Sequence, residues 1–136
     1  MREHLFALLI HNRPEPFESL RGILKDLSIE SYSVETCSEA KDLISQCKPH
    51  VIFTERALVD GSWVSILTMA EEADVPVSVI VVGALPNAQL HVSVTERGAF
   101  DFVAPPFEYE PLNSVIRSAA LAAHCRREAS AGRVSV

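Results

Sequence analysis

Residues 5–27, LFALLIHNRPEPFESLRGILKDL, contain the pattern that decides the fold. The run from 5 to 10 is apolar at every position, which is typical of a central parallel strand covered on both faces. Pro14 and Pro16 then suit the start of a helix, because the first helical turn does not need the N–H that proline lacks. A helix is predicted by apolar residues at helical spacing with charged residues between them: Phe17, Leu20, Leu24 and Leu27.

The same alternation of apolar run and amphipathic segment continues along the chain. Further strands are predicted at 32–36, at 51–54, at 75–84 and within 100–107. The helices between them are predicted from Ser38, as an N-cap, to Cys47, from about 62 to 73, at 85–98, and from Pro111 to Arg127.

The segment 85–98 is open to two interpretations. Its β-branched residues, among them Val92 and Val94, are compatible with a strand. Pro86 at its start and Gly98 at its end favour a helix.

Five strands alternating with five helices predict an α/β fold with a parallel sheet and right-handed crossovers. Sites in such sheets lie beyond the carboxyl ends of the strands. The strand ends of interest are therefore those at His11 and Asn12, at Glu55 and at Gly83. We expect one domain over 1–127 and a flexible C-terminal tail over 128–136.

Composition excludes several classes of protein. The chain of 136 residues is 48% hydrophobic and has a formal net charge of -6, which argues against non-specific nucleic-acid binding. Its three cysteines include no C-x-x-C pair, so neither a disulfide framework nor a zinc site is indicated. The sequence has no apolar stretch of ~18 residues that would predict a membrane span, and the N-terminus is a poor signal peptide. These features predict a cytoplasmic protein without a membrane or nucleic-acid partner.

Three motifs resemble those of the receiver domains of two-component response regulators. RGAFDFVAPPF (97–107) is similar to the family's G-A-x-D-[YF]-[LVI]-x-K-P-F, and PHVIFTERALVDG (49–61) to P-D-[LV]-[VI]-[LI]-x-D-x-x-[LM]-P-x-x-D-G. LLIHNRP (8–14) stands where the family has a hydrophobic strand followed by D-D-x-P. The resemblance extends from about Leu5 to Arg127. It implies a flavodoxin-like (βα)5 three-layer sandwich with the sheet order 2-1-3-4-5, and a cis bond between Pro105 and Pro106.

The positions that carry the family's chemistry are changed. The resemblance maps the metal-binding acidic pair onto His11 and Asn12, and the phospho-accepting aspartate onto Glu55. It maps the switch hydroxyl onto Gly83 and the lysine onto Pro105. Phosphoryl transfer needs a placed carboxylate, Mg²⁺ on hard oxygen ligands, and cationic support. We therefore expect no phosphorylation, no catalytic residue, no metal and no cofactor.

Two residues at these altered positions, with a third nearby, could also suit a different metal. His11, Glu55 and Asp60 have ligand types that allow a transition metal. A polar cap over the sheet, satisfied by hydrogen bonds and water, is the alternative interpretation.

The resemblance also implies a switch aromatic at Phe102, which in the family moves between buried and exposed states. A fixed core aromatic is the alternative, and is favoured because Gly83 has no hydroxyl. Trp63 is either a partner anchor or a packing residue.

These features predict a non-enzymatic interaction module of two-component phosphorelay signalling in bacteria, with a protein partner. Alternatives are a conventional phospho-accepting regulator, a small-ligand sensor that uses the vacated site, and the detached regulatory domain of a longer regulator. A homodimer is expected through the face of the fourth helix, fifth strand and fifth helix. The residues assigned to that face are Leu90, Val94, Arg97, Asp101, Phe102, Leu112, Arg117 and Ala119.

Overall fold

The computed structural model describes residues 5–134, in which five main strands alternate with five helices. The strands are β1 Phe6–Ile10, β2 Glu30–Val34, β3 Val51–Glu55, β4 Ser78–Val82 and β5 Asp101–Val103. The helices are α1 Phe17–Asp26, α2 Cys37–Cys47, α3 Trp63–Glu71, α4 Ala88–Glu96 and α5 Tyr109–Val134. Between β3 and α3, Ala57–Leu58 pairs with Gly61–Ser62 as a small antiparallel hairpin.

The five main strands form one parallel sheet in the order β2-β1-β3-β4-β5. This order confirms the predicted α/β fold and the strand order 2-1-3-4-5. The strand order reverses between β1 and β3, and α/β sheets bind ligands at such a switch point. Register places Ile10 beside Thr54, and Glu55 beside Val82, so the loops after β1, β3 and β4 open at the same edge.

Helices cover the sheet on both faces, which gives three layers. One core cluster joins the sheet to α1 and α5, and contains Phe17, Phe53 and Ile116. The other joins it to α2 and α3, around Ile52 and Ile66. β1 is buried at every position, as its continuous apolar sequence predicts, whereas the edge strand β2 is buried at none.

Helix caps explain two boundaries. Thr36, rather than the predicted Ser38, caps α2: its side chain accepts the N–H of Glu39, and Ser38 lies inside the helix. Asn87 caps α4 by accepting the N–H of Leu90, and this segment is a helix, not the alternative strand.

The last helix corrects the predicted C-terminal boundary. α5 continues past Arg127 to Val134, where the sequence predicts a tail from residue 128. Arg127 anchors this part of the helix, because its guanidinium donates to the carbonyls of Pro76, Lys48 and Pro49. Residues 128–130 include Glu128 and Ala129, which are good helix formers.

Two proline bonds are cis: Glu15–Pro16 and Pro105–Pro106. The second confirms a prediction, and the first was not foreseen. In the part of the chain that the structure describes, no helix combines the length and hydrophobicity needed to cross a bilayer.

Candidate functional site

A cleft of about 470 Å³ opens at the carboxyl edge of the sheet. The loops after β1, β3 and β4 form it, together with the first turn of α4 and the ring of Phe102. Four residues singled out from the sequence meet there: Asn12, Glu55, Gly83 and Phe102. The topology therefore assembles most of the predicted site, and three other residues singled out from the sequence lie elsewhere: His11, Asp60 and Pro105.

Glu55 supplies the cleft's carboxylate. It ends β3 and is half-buried, and its Oε1 accepts the backbone N–H of Asn12 at 3.0 Å. Among the side chains that the structure describes, no basic group forms an ion pair with it. The carboxylate is thus positioned by the backbone of β1's loop but has no neutralising partner.

His11 turns away from the cleft and is 8% exposed. Its ring stacks on Phe17, with centroids 4.2 Å apart and planes inclined by 8°. Nδ1 lies 2.6 Å from the carbonyl oxygen of Arg13. Because a carbonyl can only accept, Nδ1 carries the proton of this bond, and Nε2 is buried without a hydrogen-bond partner among the described residues.

Asp60 is also engaged elsewhere. Its carboxylate accepts the N–H groups of Cys37 at 2.7 Å and Ser38 at 3.1 Å, at the start of α2. These bonds, the one from Cys37 first, lower the pKa of Asp60 from its ordinary value of 3.8. Burial, and then the charge of Asp60, raise the pKa of the Cys37 thiol.

The cleft does not fit Mg²⁺. Glu55 is the one carboxylate in the described lining, Asn12 offers at most a neutral oxygen, and His11 faces Phe17. Across residues 5–134, no three His, Cys, Asp or Glu side chains come together as a metal-binding group. The hypothesis of a transition-metal site formed by His11, Glu55 and Asp60 is wrong. The ring of His11 stacks on Phe17, and the carboxylate of Asp60 binds the start of α2, so neither lies with Glu55 in the cleft.

Gly83 is in contact with Phe102. A Cβ at residue 83 would lie 2.6 Å from Cζ and 2.8 Å from Cε1 of the ring, far inside ordinary contact distance. The ring therefore fills the space in which a side chain at residue 83 would begin. Phe102 is 7% exposed and packs with Val94 and Ala99.

Hydrogen bonds hold β5 and α4 around this ring. Asp101 Oδ1 accepts the N–H of Phe102 at 2.7 Å and lies 2.8 Å from Nε2 of His91 on α4. Pro105, the position of the family's lysine, lies outside the cleft lining and brings no charge.

The face of α4, β5 and α5 is less apolar than the sequence suggests. Of the apolar residues expected on it, Val94, Phe102, Leu112 and Ala119 are buried in the core, and Leu90 is half-buried. The period of a helix shows that residues share a side but not which side faces the sheet. The large exposed apolar residues on these elements are Val92, Tyr109 and Leu121.

Trp63 is half-buried and packs against two core clusters. The guanidinium of Arg97 lies over its ring, 5.9 Å from the centroid. These contacts favour the packing interpretation over a free partner anchor.

Sequence reasoning missed the two cationic residues of the cleft, Arg13 and Arg56. Each directly follows a residue that was singled out, Asn12 and Glu55. Their place in the cleft could have been predicted from the sequence, because residues that follow the carboxyl ends of parallel strands lie along the same edge of the sheet.

No protein-family model matches the chain. The nitrogen assimilation regulatory protein NtrX of Azorhizobium caulinodans is 27% identical in an alignment of 128 positions that covers 89% of this chain and 27% of NtrX. The response regulator protein PilR of Pseudomonas aeruginosa is 22% identical over 113 residues, which are 83% of this chain and 25% of PilR. The chain thus spans about a quarter of the length of these curated relatives.

Solved structures share the fold. The signal receiver domain of a protein described as a Luxo repressor, from Vibrio parahaemolyticus, has a TM-score of 0.79 and 25% identity, over 90% of this chain and 95% of its own. The beryllofluoride-activated NtrC4 receiver domain dimer has a TM-score of 0.75 and 23% identity, over 86% and 97%.

NtrX from Brucella abortus, in complex with ATP, has a TM-score of 0.80 and 22% identity, over 94% of this chain and 29% of its own. In the order β2-β1-β3-β4-β5 of its parallel sheet, and in these comparisons, the chain is similar to the receiver domains of two-component response regulators.

Proposed function

We propose that this domain is a pseudo-receiver: an interaction module of bacterial two-component signalling whose output does not depend on phosphorylation. The observation that carries the proposal is the contact between Phe102 and Gly83. A receiver that switches by moving a hydroxyl residue at this position needs room for that side chain. Here the aromatic ring occupies the room.

The chemistry of the cleft supports the same proposal. In-line phosphoryl transfer needs the nucleophile, the metal and cationic groups in fixed geometry. Glu55 is one methylene longer than aspartate, and the described lining gives it no second carboxylate for Mg²⁺. Pro105 has replaced the lysine. An aspartate at residue 55 would therefore still lack the carboxylates that hold Mg²⁺ and the lysine that Pro105 has replaced.

The buried ring supports a domain held in one conformation. The ring of Phe102 is buried against Val94 and Ala99 and fills the space beside Gly83, and the backbone N–H of Phe102 donates to Oδ1 of Asp101. A ligand or charge shifts a conformational equilibrium only by its differential interaction with the two states. With no hydroxyl at Gly83, a charge at Glu55 has no side chain at that position through which to act on the ring.

The partner in this proposal is a protein, met in the cytoplasm, and self-association would use the face of α4, β5 and α5. The large apolar residues exposed on the described parts of these elements are Val92, Tyr109 and Leu121. The same chain would serve equally as the regulatory domain, over 1–127, of a longer regulator. No nucleic acid is assigned, in keeping with the net charge of -6.

Phosphoryl labelling tests the proposal. The protein is incubated with acetyl phosphate and Mg²⁺, and its intact mass is measured alongside a receiver domain that retains its aspartate. We expect no phosphoryl adduct on the wild type or on Glu55→Asp. An adduct at Glu55 would support a conventional phospho-accepting regulator instead.

A further inference from the structure

Beyond this function, we infer that the cleft is a binding site for a small zwitterion with an apolar side chain, of the size and kind of a free amino acid. The inference rests on the cleft itself. Its volume of about 470 Å³ lies within the range typical of small-molecule sites.

The charges that line the cleft are of both signs. Glu55 lies at the end of β3 and is half-buried. Arg13 and Arg56 line the same cleft from the loops after β1 and β3. A ligand that carries one positive and one negative group can therefore satisfy both signs at once.

A simple anion fits less well. Phosphate or sulfate bound to the arginines would also meet the carboxylate of Glu55, and the described lining holds no metal-binding group to offset that repulsion. A simple cation bound to Glu55 would be repelled by Arg13 and Arg56, which line the same cleft. The half-buried carboxylate of Glu55 accepts the N–H of Asn12 through Oε1, and an ammonium group on the ligand would add a donor that also neutralises its charge.

Part of the cleft lining is apolar. Val82 and Phe102 form a floor from the sheet, Leu85 lies in the β4–α4 loop, and Leu90 lies in the first turn of α4. Leu85 is 75% exposed at the mouth of the cleft and can contact an apolar side chain of a bound ligand. Because Gly83 has no side chain, the edge of the Phe102 ring reaches this floor directly.

The same ring connects the cleft to a second cavity. Phe102 also lines a groove of about 240 Å³ between α4, β5 and α5. A ligand on the cleft floor would therefore contact a residue that also lines that groove. Ligand binding in the cleft would therefore act on the proposed partner surface through Phe102.

Isothermal titration calorimetry with L-leucine tests the inference. Two analogues each remove one charge: isocaproate has no ammonium group and isoamylamine has no carboxylate. We expect leucine to bind and each analogue to bind about tenfold more weakly or worse, the cost of losing a charge-assisted hydrogen bond. Inorganic phosphate should bind more weakly than leucine.

Protein variants assign the binding to the cleft. Glu55→Gln should weaken leucine about tenfold but should not weaken isocaproate, because only leucine has the ammonium group and isocaproate is freed from repulsion by the carboxylate. Arg56→Gln should weaken both. Glu18→Gln, an exposed glutamate on α1 outside the cleft lining, is the matched control and should change neither.

Three results would overturn the inference. The first is no leucine binding at tens of millimolar on the wild type. The second is equal binding of both analogues. The third is phosphate binding tighter than leucine, which would identify an anion site. All of these are independent of phosphoryl labelling, so this inference and the proposed function can fail separately.

Discussion

Substituting Gly83 with alanine tests the contact on which the proposed function depends. The added methyl group would lie 2.6 Å and 2.8 Å from two ring carbons of Phe102, where ordinary contacts begin near 3.4 Å. Gly83 does not have a positive φ, so alanine meets no backbone strain there. Any loss of stability must therefore come from the ring.

Two responses are open to the protein, and both cost free energy. If the ring stays, overpacking costs about 1–3 kcal/mol. If the ring rotates into solvent, the domain forfeits the burial of a phenylalanine, about 1.5–3 kcal/mol. We expect the free energy of unfolding to fall by about 1–3 kcal/mol, measured by urea denaturation with circular dichroism. Fluorescence of Trp63, which packs on the same cluster, should change in parallel.

Two further variants make the measurement specific. Phe102→Leu removes the two ring atoms that collide with the new methyl group, so Gly83→Ala should cost less than about 0.5 kcal/mol in that background. Gly22→Ala is the matched control: it lies in α1 with no atom within 4 Å of the new Cβ, and should stabilise the domain by about 0.5–1 kcal/mol. The reasoning would be refuted if Gly83→Ala were as stable as the wild type. It would also be refuted if Gly83→Ala lowered the free energy of unfolding equally in the wild-type and Phe102→Leu backgrounds.

Four other outcomes are expected. Glu55→Gln should change partner binding by under about 1 kcal/mol in a calorimetric titration, because the charge has no hydroxyl or lysine to act on; a larger loss would assign Glu55 a direct role. Asp60→Ala should lower the melting temperature at pH 7, because it removes the acceptor for Cys37 and Ser38. The pKa of Asp60 is lower in the folded state, so its contribution to the stability of the fold is present above pH 3.8, its ordinary pKa, and is lost as the pH falls through the folded pKa. A difference in melting temperature between wild type and variant that persists in strong acid would contradict this. Arg117→Glu should weaken self-association in analytical ultracentrifugation by reversing a charge on the α5 face, and an unaffected dimer would place the interface elsewhere. Millimolar Mg²⁺ should not raise the melting temperature beyond a salt control, since a ligand that binds only the native state must stabilise it.

The fold was predictable because burial on two faces leaves a strong record in sequence. β1 and β4 are apolar at nearly every position, and five strands alternating with helices restrict the topology to a parallel sheet. Boundaries were less predictable. Ser38 and Thr36 are both good caps, and only the local backbone decides that Thr36 accepts a bond from Glu39.

The end of α5 depends on contacts that sequence does not display. Arg127 is held by carbonyls of Pro76, Lys48 and Pro49, residues far away in the chain. Without them, the polar and small residues after Arg127 look like a frayed end.

The site was predictable as a set of positions, but its geometry was not. The resemblance identified Glu55 and Gly83, and the structure brings both to one cleft. It could not show that His11 stacks on Phe17, because either orientation satisfies the sequence. Nor could it show that the Phe102 ring occupies the space beside Gly83, since that contact depends on a side-chain rotamer.

The most direct test of the central claim is a comparison of ¹H–¹⁵N spectra with and without beryllofluoride and Mg²⁺, a mimic of phosphorylation. The control contains Mg²⁺ and fluoride without beryllium. The account predicts that the amide signals of Asn12, Glu55, Gly83 and Phe102 stay where they are. Concerted shifts of these signals would contradict it, because they would mean that the cleft still captures a phosphoryl mimic and passes the change to the aromatic ring.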